Sequence, residues 1–513
     1  MNFLLVAVSG ILGALAFPKA GIWFLSFFFL VPFLISLFRA GSIKESFLLG
    51  MTFGLFYFGI LFAGLSELYL YVSFFCYVAW LGLVVFESLF VAVFCVMFHL
   101  FFKEHSKSLS GLFIVASAWT ALEWVRSFGE FGLSGGTIGY CLANVLPLIQ
   151  IASILGVYGV SFLLVMFNIA FFQLCVCDGK LFERLRKCSL SLITVMLIFL
   201  VVLMWGYFRV AVSDQSHAYF SPQLWVMPVQ GNIEQLMKMS PNTKDAIVKK
   251  YINLTRDILP LGETLSDEVR VVIWPETFVG TYLMYDASVL SEVKELIQGS
   301  GSYFLIGTPH YEAGRTYNSA ILFSPDGNVA GRYDKQKPVP FGEYLPFRSI
   351  FYPLLSRQSD IFENFYSGNP NPQILSAGPY RLGVVICFES TFPYLVLQRV
   401  RAGADVIVVI TNDAWFSLSS LAYQHVDISV FRAIECGKPL VEVGNTGISA
   451  VIDPFGRVLR RTRLMNEVAF TSAVPRGLKA TAYVLFGDLF PPVLLLFSLL
   501  FVAKKWLNAR RLM

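Results

Sequence analysis

The chain has 513 residues, 56% of them hydrophobic and only 14% charged, with 50 phenylalanines and a net charge of +5. Soluble domains carry about 25% charged residues, so a wholly soluble protein is excluded. The basic residues flank apolar runs or are interspersed rather than forming a patch, which argues against a nucleic-acid partner.

A membrane-spanning helix needs about 17–25 apolar residues. Runs of this kind lie near 3–17, 22–38, 47–65, 70–101, 110–127, 146–174 and 189–209, with another near 484–503. The expected architecture is therefore a polytopic α-helical bundle of about eight spans, seven in residues 1–210 and the eighth in 481–513. The first run ends at Pro18 and lacks the basic leader of a signal peptide, so it is expected to stay as a helix. The 70–101 run is overlong, and one helix or two both fit it. It carries Glu87, a carboxylate expected to be held by a hydrogen bond from another helix. Glu123 and Arg126 lie three apart and are expected to pair on one helix face.

Basic residues mark alternate loops. Arg39 and Lys44 follow the second run, and Lys103 and Lys107 the fourth. Lys180, Arg184, Arg186 and Lys187 follow the sixth, and Lys504, Lys505, Arg510 and Arg511 the last. By the positive-inside rule both ends are cytoplasmic, and residues 211–480 lie on the opposite face.

Residues 211–480 have a different texture. LWVMPV, VRVVIW, YFLIGT, SAILF, LGVVI, DVIVVI and PLVEVG are strand-length β-branched runs, and 243–259 and 287–298 read as helices. Ser324-Pro325-Asp326-Gly327 and Asp453-Pro454-Phe455-Gly456 read as hairpin turns. One α/β domain is expected here.

Six of the eight cysteines sit in or beside apolar runs and read as packing residues. The five histidines form no paired spacing, so neither a metal nor a cofactor is expected. Four strand-like runs instead end in polar groups: Glu276 after VVIW, Lys335 after a hairpin, Cys387 after LGVVI, and Asn412 with Asp413 after VIVVI. In α/β sheets such ends converge, and ligands bind there. A free thiol is only slightly ionised at neutral pH, so a nearby carboxylate suits it as a general base. An ammonium would favour the thiolate and stabilise an oxyanion. Asn412, Asp413 and Trp415 are expected to line such a site, and Asn445 to lie near its floor.

Three segments, RVVIWPETFVG (270–280), GRYDKQKPVPFGEYLPF (331–347) and RLGVVICFESTFP (381–393), resemble the signature blocks of the nitrilase superfamily. PVPFGEYLPF with apolar runs on both sides is similar to its apolipoprotein N-acyltransferase branch. The resemblance implies an αββα sandwich carried by the helical bundle. It implies Glu276 as general base, Cys387 as nucleophile and Lys335 as transition-state stabiliser, with Glu343 and Glu389 in support. It implies ping-pong transfer of an acyl chain from a phospholipid, through a thioester, to the amine of a diacylglyceryl-cysteine on an apolipoprotein. It further implies a multi-pass protein of the bacterial inner membrane, acting as a monomer with its catalytic domain in the periplasm. Where the family pattern carries tryptophan and tyrosine, this chain has Met239 and Phe388. A membrane-anchored carbon-nitrogen hydrolase with the same triad is the alternative.

An enzyme with lipidated substrates needs an apolar mouth. Met239, Phe341 and Tyr344 are candidate substrate contacts. The stretch 341–366, with Leu345, Phe347, Phe351, Tyr352, Leu354 and Leu355, reads either as a lid or as domain core.

Overall fold

The structure is a computed structural model, and it describes residues 1–72, 74–214, 224–259, 268–347, 349 and 364–511. The chain divides into two compact units. One comprises Met1–Tyr69, Ser73–Val212 and Leu485–Met513, the other Leu70–Val72 and Ser213–Val484.

The first unit is helical. Ile43–Leu61, Phe75–Phe102, Ala152–Val176, Leu181–Val212 and Phe490–Asn508 are long and apolar enough to cross a membrane. Asn2–Leu15, Trp23–Arg39 and Leu109–Val125 are apolar but shorter. The run expected at 22–38 is not one regular helix. Trp23–Phe27 forms a tight 3-10 turn, and an α-helix begins only at Leu30, two residues before Pro32, which supplies no backbone N–H and so fits a first turn. The 70–101 run yields one long helix, Phe75–Met97, after a short turn at Tyr69–Val72.

Small residues set a close helix contact. A methyl group on Gly54 would lie 2.4–2.6 Å from atoms of Ser88, and one on Gly50 would lie 2.5 Å from the Cα of Ala92. This Gly-x-x-x-Gly face lets two backbones approach where lipid gives no hydrophobic drive. Glu87 is held as expected, by Arg126 at 3.1 Å. The expected Glu123–Arg126 pair does not form. Glu123 accepts instead from Trp119 Nε1 at 3.1 Å and Ile138 N at 3.0 Å. Arg126 also donates to the carbonyls of Leu133 and Gly135, both at 2.8 Å, and so fastens the following loop.

The second unit is a sandwich of two sheets. Its strands are β1 (Leu224–Gln230), β2 (Val269–Trp274), β3 (Tyr303–Glu312), β4 (Arg315–Phe323), β5 (Val329–Asp334), β6 (Leu375–Ala377), β7 (Tyr380–Ile386), β8 (Val406–Thr411), β9 (Leu440–Gly444), β10 (Ala450–Ile452), β11 (Val458–Arg461), β12 (Val468–Ala469) and β13 (Ser472–Ala473). One sheet runs β12-β1-β2-β3-β4-β5, with β13 also on β1, and the other runs β11-β10-β9-β8-β7-β6. All seven sequence-predicted runs are strands, and both hairpin turns form, closed by Gly327 N to Ser324 O at 2.8 Å and Gly456 N to Asp453 O at 2.9 Å.

Alternate residues of each strand fill the two faces. Val226, Val271, Ile273, Leu305 and Leu322 meet Leu382, Val384, Ile386, Val408 and Val441 between the sheets. Val272, Trp274, Phe304 and Ile321 pack on the other side, against Tyr251 of helix Lys244–Ile258 and Val293 of helix Ala287–Ser300. Burial on both faces explains why the strands read as unbroken apolar runs. Each such side chain contributes roughly 1.5–3 kcal/mol. Helices Pro393–Arg401 and Leu421–Cys436 flank the second sheet, completing the αββα order of layers. Within Leu421–Cys436, Arg432 pairs with Glu435 at 2.9 Å and Cys436 is buried.

Candidate active site

Strand direction places the site. β2 is parallel to β3, and β4 and β5 each reverse direction, so β5 runs the same way as β2. Their carboxyl ends therefore share one edge. Glu276 follows β2 by two residues, and Lys335 follows β5 directly. In the other sheet β7 and β8 are parallel, delivering Cys387 and Asn412 from adjacent ends.

Three of the expected groups form one ionic cluster. Lys335 Nζ lies 3.0 Å from Glu276 Oε1 and 2.9 Å from Glu343 Oε2. Asn318, inside β4, donates to both carboxylates, at 2.7 Å to Glu276 and 2.6 Å to Glu343. The backbone N–H of Asn412 donates to Glu276 Oε2 at 2.8 Å. Val339 N donates to Glu343 Oε2 at 2.7 Å. Burial opposes the charge on Lys335, yet Glu276 and Glu343 more than offset it and hold its pKa well above the usual lysine range.

Cys387 is 9% exposed and sits in the left-handed region at φ 52°. A non-glycine residue there costs about 1–3 kcal/mol, held by its surroundings. The strain makes an elbow between β7 and the 3-10 turn Cys387–Thr391. Burial pushes the thiol pKa well up, and the charge of Glu276 adds to this while Lys335 and a hydrogen bond with Thr411 oppose it. Both residues' charges thus act on the sulfur. A thiol so raised is protonated at neutral pH and needs a base to attack.

Glu389 has a supporting place. It accepts from Tyr333 Oη at 2.8 Å, Gln336 N at 2.6 Å, Lys337 N at 3.1 Å and Ile386 N at 2.7 Å. One buried carboxylate thereby ties the loop carrying Lys335 to the strand carrying Cys387. Arg399 backs it through Tyr333 Oη at 2.8 Å. Burial raises the Glu389 pKa, against the Ile386 N–H.

The remaining candidates fall around this centre. Phe388 packs edge-on against Phe392, centroids 4.9 Å apart. Asn412 receives Asn445 Nδ2 at 3.0 Å, so Asn445 does lie beneath the loop. Trp415 packs edge-on against Tyr71, a residue grouped with this unit, at 5.2 Å. Met239 is exposed, as are its neighbours Leu236 and Met237. Phe341 and Tyr344 are half-buried in a turn closed by Phe341 N to Tyr344 O at 2.8 Å, which aims Glu343 at Lys335. Of the lid-or-core stretch, Leu345 is buried and Phe347 exposed, while Phe351, Tyr352, Leu354 and Leu355 lie outside the described residues.

Sequence reasoning missed Lys238, Asn318 and the pairing of the strand-end Asp413 with His425. An asparagine inside an otherwise apolar strand was the available signal for Asn318. His425 Nδ1 lies 2.9 Å from Asp413 Oδ1. Burial opposes its charge, but Asp413 outweighs this and lifts its pKa to about 9. An unfolded histidine titrates near ~6.5, so this pair's stabilisation is complete below that and lost as pH rises through about 9. It amounts to roughly 3 kcal/mol. The melting-temperature gap between wild type and His425→Asn is therefore expected to narrow from pH 6.5 to 9. A gap that is constant with pH would contradict the assignment. Among the described residues no group of His, Cys, Asp and Glu is arranged to hold a metal ion.

The sandwich and its carboxylate-lysine-cysteine edge define a carbon-nitrogen hydrolase domain, and the Carbon-nitrogen hydrolase family model matches residues 210–481. The Apolipoprotein N-acyltransferase N-terminal domain model matches residues 9–170. Apolipoprotein N-acyltransferase of Geobacter metallireducens is 33% identical, covering 95% of this chain and 92% of that one. That of Bradyrhizobium diazoefficiens is 30% identical, covering 83% and 78%. A solved amidase from Nesterenkonia sp. AN1 aligns with 50% of this chain and 92% of its own, at 17% identity and a TM-score of 0.37. This chain belongs to the apolipoprotein N-acyltransferase family and is an acyltransferase.

Proposed function

We propose that the chain N-acylates the terminal diacylglyceryl-cysteine of apolipoproteins by a ping-pong thioester route. Glu276 takes the proton of Cys387, and the thiolate attacks an ester carbonyl of a phospholipid. The Lys335 ammonium stabilises the oxyanion that forms. The carbon-oxygen bond to glycerol breaks, the alkoxide takes the proton held by Glu276, and lysophospholipid leaves. The amine of the acceptor then attacks the thioester and yields its proton to Glu276. The carbon-sulfur bond breaks, and the amide product forms as the sulfur regains a proton. Glu343 shares the Lys335 charge and holds it in place.

The observation that carries this reading is the lysine bound to two carboxylates beside the elbow cysteine. A thiol raised by burial suits a step in which a base acts only when the ester is in place. Among the described residues, five long and three shorter apolar helices are read as eight crossings. The basic loops support a catalytic domain on the periplasmic face of the inner membrane. Exposed Leu236, Met237 and Met239 give the domain an apolar surface for acyl chains.

Purified protein given a diacyl phospholipid and a diacylated lipopeptide is expected to yield a triacylated peptide and lysophospholipid. Release of free fatty acid with no triacylated product would favour the hydrolase alternative.

A further inference from the structure

Helix Gln235–Met239 is only five residues long and turns Leu236, Met237 and Met239 outward. Lys238 points the other way and is 6% exposed. Its ammonium donates to the carbonyl of Thr277 at 2.9 Å and to Asn412 Oδ1 at 3.2 Å. Neither acceptor is charged. A buried lysine is expensive to keep, and the steps described above give it no task.

The two acceptors adjoin Glu276 and set the side of it opposite Lys335 and Asn318. Thr277 follows Glu276 directly and is held in the left-handed region at φ 40°. Asn412 supplies the N–H bound to Glu276 Oε2. The Asn412 side chain is pinned in turn by Gln235 at 2.9 Å and Asn445 at 3.0 Å. We propose that Lys238 is a positioning residue for the general base, clamping the Thr277 turn to the Asn412 loop so that the Glu276 carboxylate stays aimed at the Cys387 thiol. The role rests on the mechanism proposed above and adds a residue to it.

The clamp is tied to charge. Burial pushes the Lys238 pKa down to about 7, with Glu276 opposing the drop. Below about 7 the ammonium is intact, and it becomes an amine as pH rises through that value. The amine still donates, but more weakly, and it no longer favours the ionised base. The other groups facing this corner are Glu276 and Glu343, Lys335, Cys387, Asp413 with His425, and Tyr251 on the far side of Asn445. Lys335 titrates well above the neutral range and His425 at about 9, so neither mimics a step near 7. Glu442, buried near His425, is pushed up to about 7 and does fall in that window, and replacing Lys238 separates the two.

The test follows thioester formation on Cys387 by rapid quench and intact mass, using the full chain in detergent with a diacyl phosphatidylethanolamine. Lys238→Met is expected to slow acylation at saturating lipid by about 10- to 100-fold, the scale of a misplaced catalytic group. Its lipid requirement is expected to be unchanged. Lys238→Arg keeps the charge and donors, and it is expected to retain more activity than Lys238→Met and to lose the rate step that Lys238 is expected to give wild type near pH 7. A Lys238→Met rate equal to wild type, or a slowing seen only as a greater lipid requirement, overturns the proposal. If Lys238→Met does not fold, the arginine variant decides in a Glu442→Gln background, where a step near pH 7 that persists overturns the proposal. Absence of any adduct on wild type would instead overturn the thioester reading itself.

Discussion

Cys387→Ala is expected to carry no acyl adduct after exposure to phospholipid, while wild type gains the mass of one acyl chain. Cys387→Ser is expected to lose turnover by at least about 10³-fold, because a serine hydroxyl is a far weaker nucleophile with the same base. The structure says why folding should survive both changes. The residue is small, lies at the rim of the inter-sheet core, and its elbow is held by Glu389 through Ile386 N. Alanine at φ 52° meets the strain that cysteine already bears. Loss of acylation with an unchanged melting curve therefore isolates the chemistry. An adduct of undiminished amount on Cys387→Ala would remove this residue from the mechanism.

Sequence made the strands and their ends legible for one physical reason. Strands buried on both faces must be apolar throughout, so the run stops where the chain leaves the sheet, and a polar residue at that point stands out. Glu276, Cys387 and Asn412 are of this kind, whereas Lys335 follows β5, a half-exposed VAGRYD strand, and is reached through the hairpin that follows SAILF. Lys238 is not of this kind either. It sits in a five-residue helix among exposed apolar side chains, and its partners lie 39 and 174 positions away. Asn318 is hidden inside β4, where only its contacts with Glu276 and Glu343 give it meaning. Glu123 and Arg126 have the spacing of a helical pair, but spacing does not reveal that Glu123 is already engaged by Trp119 and Ile138. The best acceptor left for Arg126 is Glu87, 39 positions away on another helix. The broken helix at 23–39 was missed because hydropathy measures length of apolar sequence and is blind to backbone conformation.

Lys335→Met is expected to abolish turnover and to weaken the domain as well. The side chain is 1% exposed and is bonded to two carboxylates, Glu276 and Glu343, that are themselves largely buried. Removing the cation leaves both acids without a counter-charge, and breaking a buried pair in this way costs about 3–5 kcal/mol. The acids then lack the partner that compensates their burial, and Glu276 loses the contact that holds it as base. Oxyanion stabilisation goes at the same time, worth about 10²–10³-fold for one donor in comparable sites. Lys335→Arg divides these effects. It keeps the positive charge and should recover most of the lost stability, but its planar fork cannot reproduce a point charge shared between Glu276, Glu343 and the reacting carbonyl. Thermal melting together with acylation rate is the check. Stability restored by arginine without turnover supports a role in chemistry, whereas turnover that follows stability in both variants would reduce Lys335 to a structural cation.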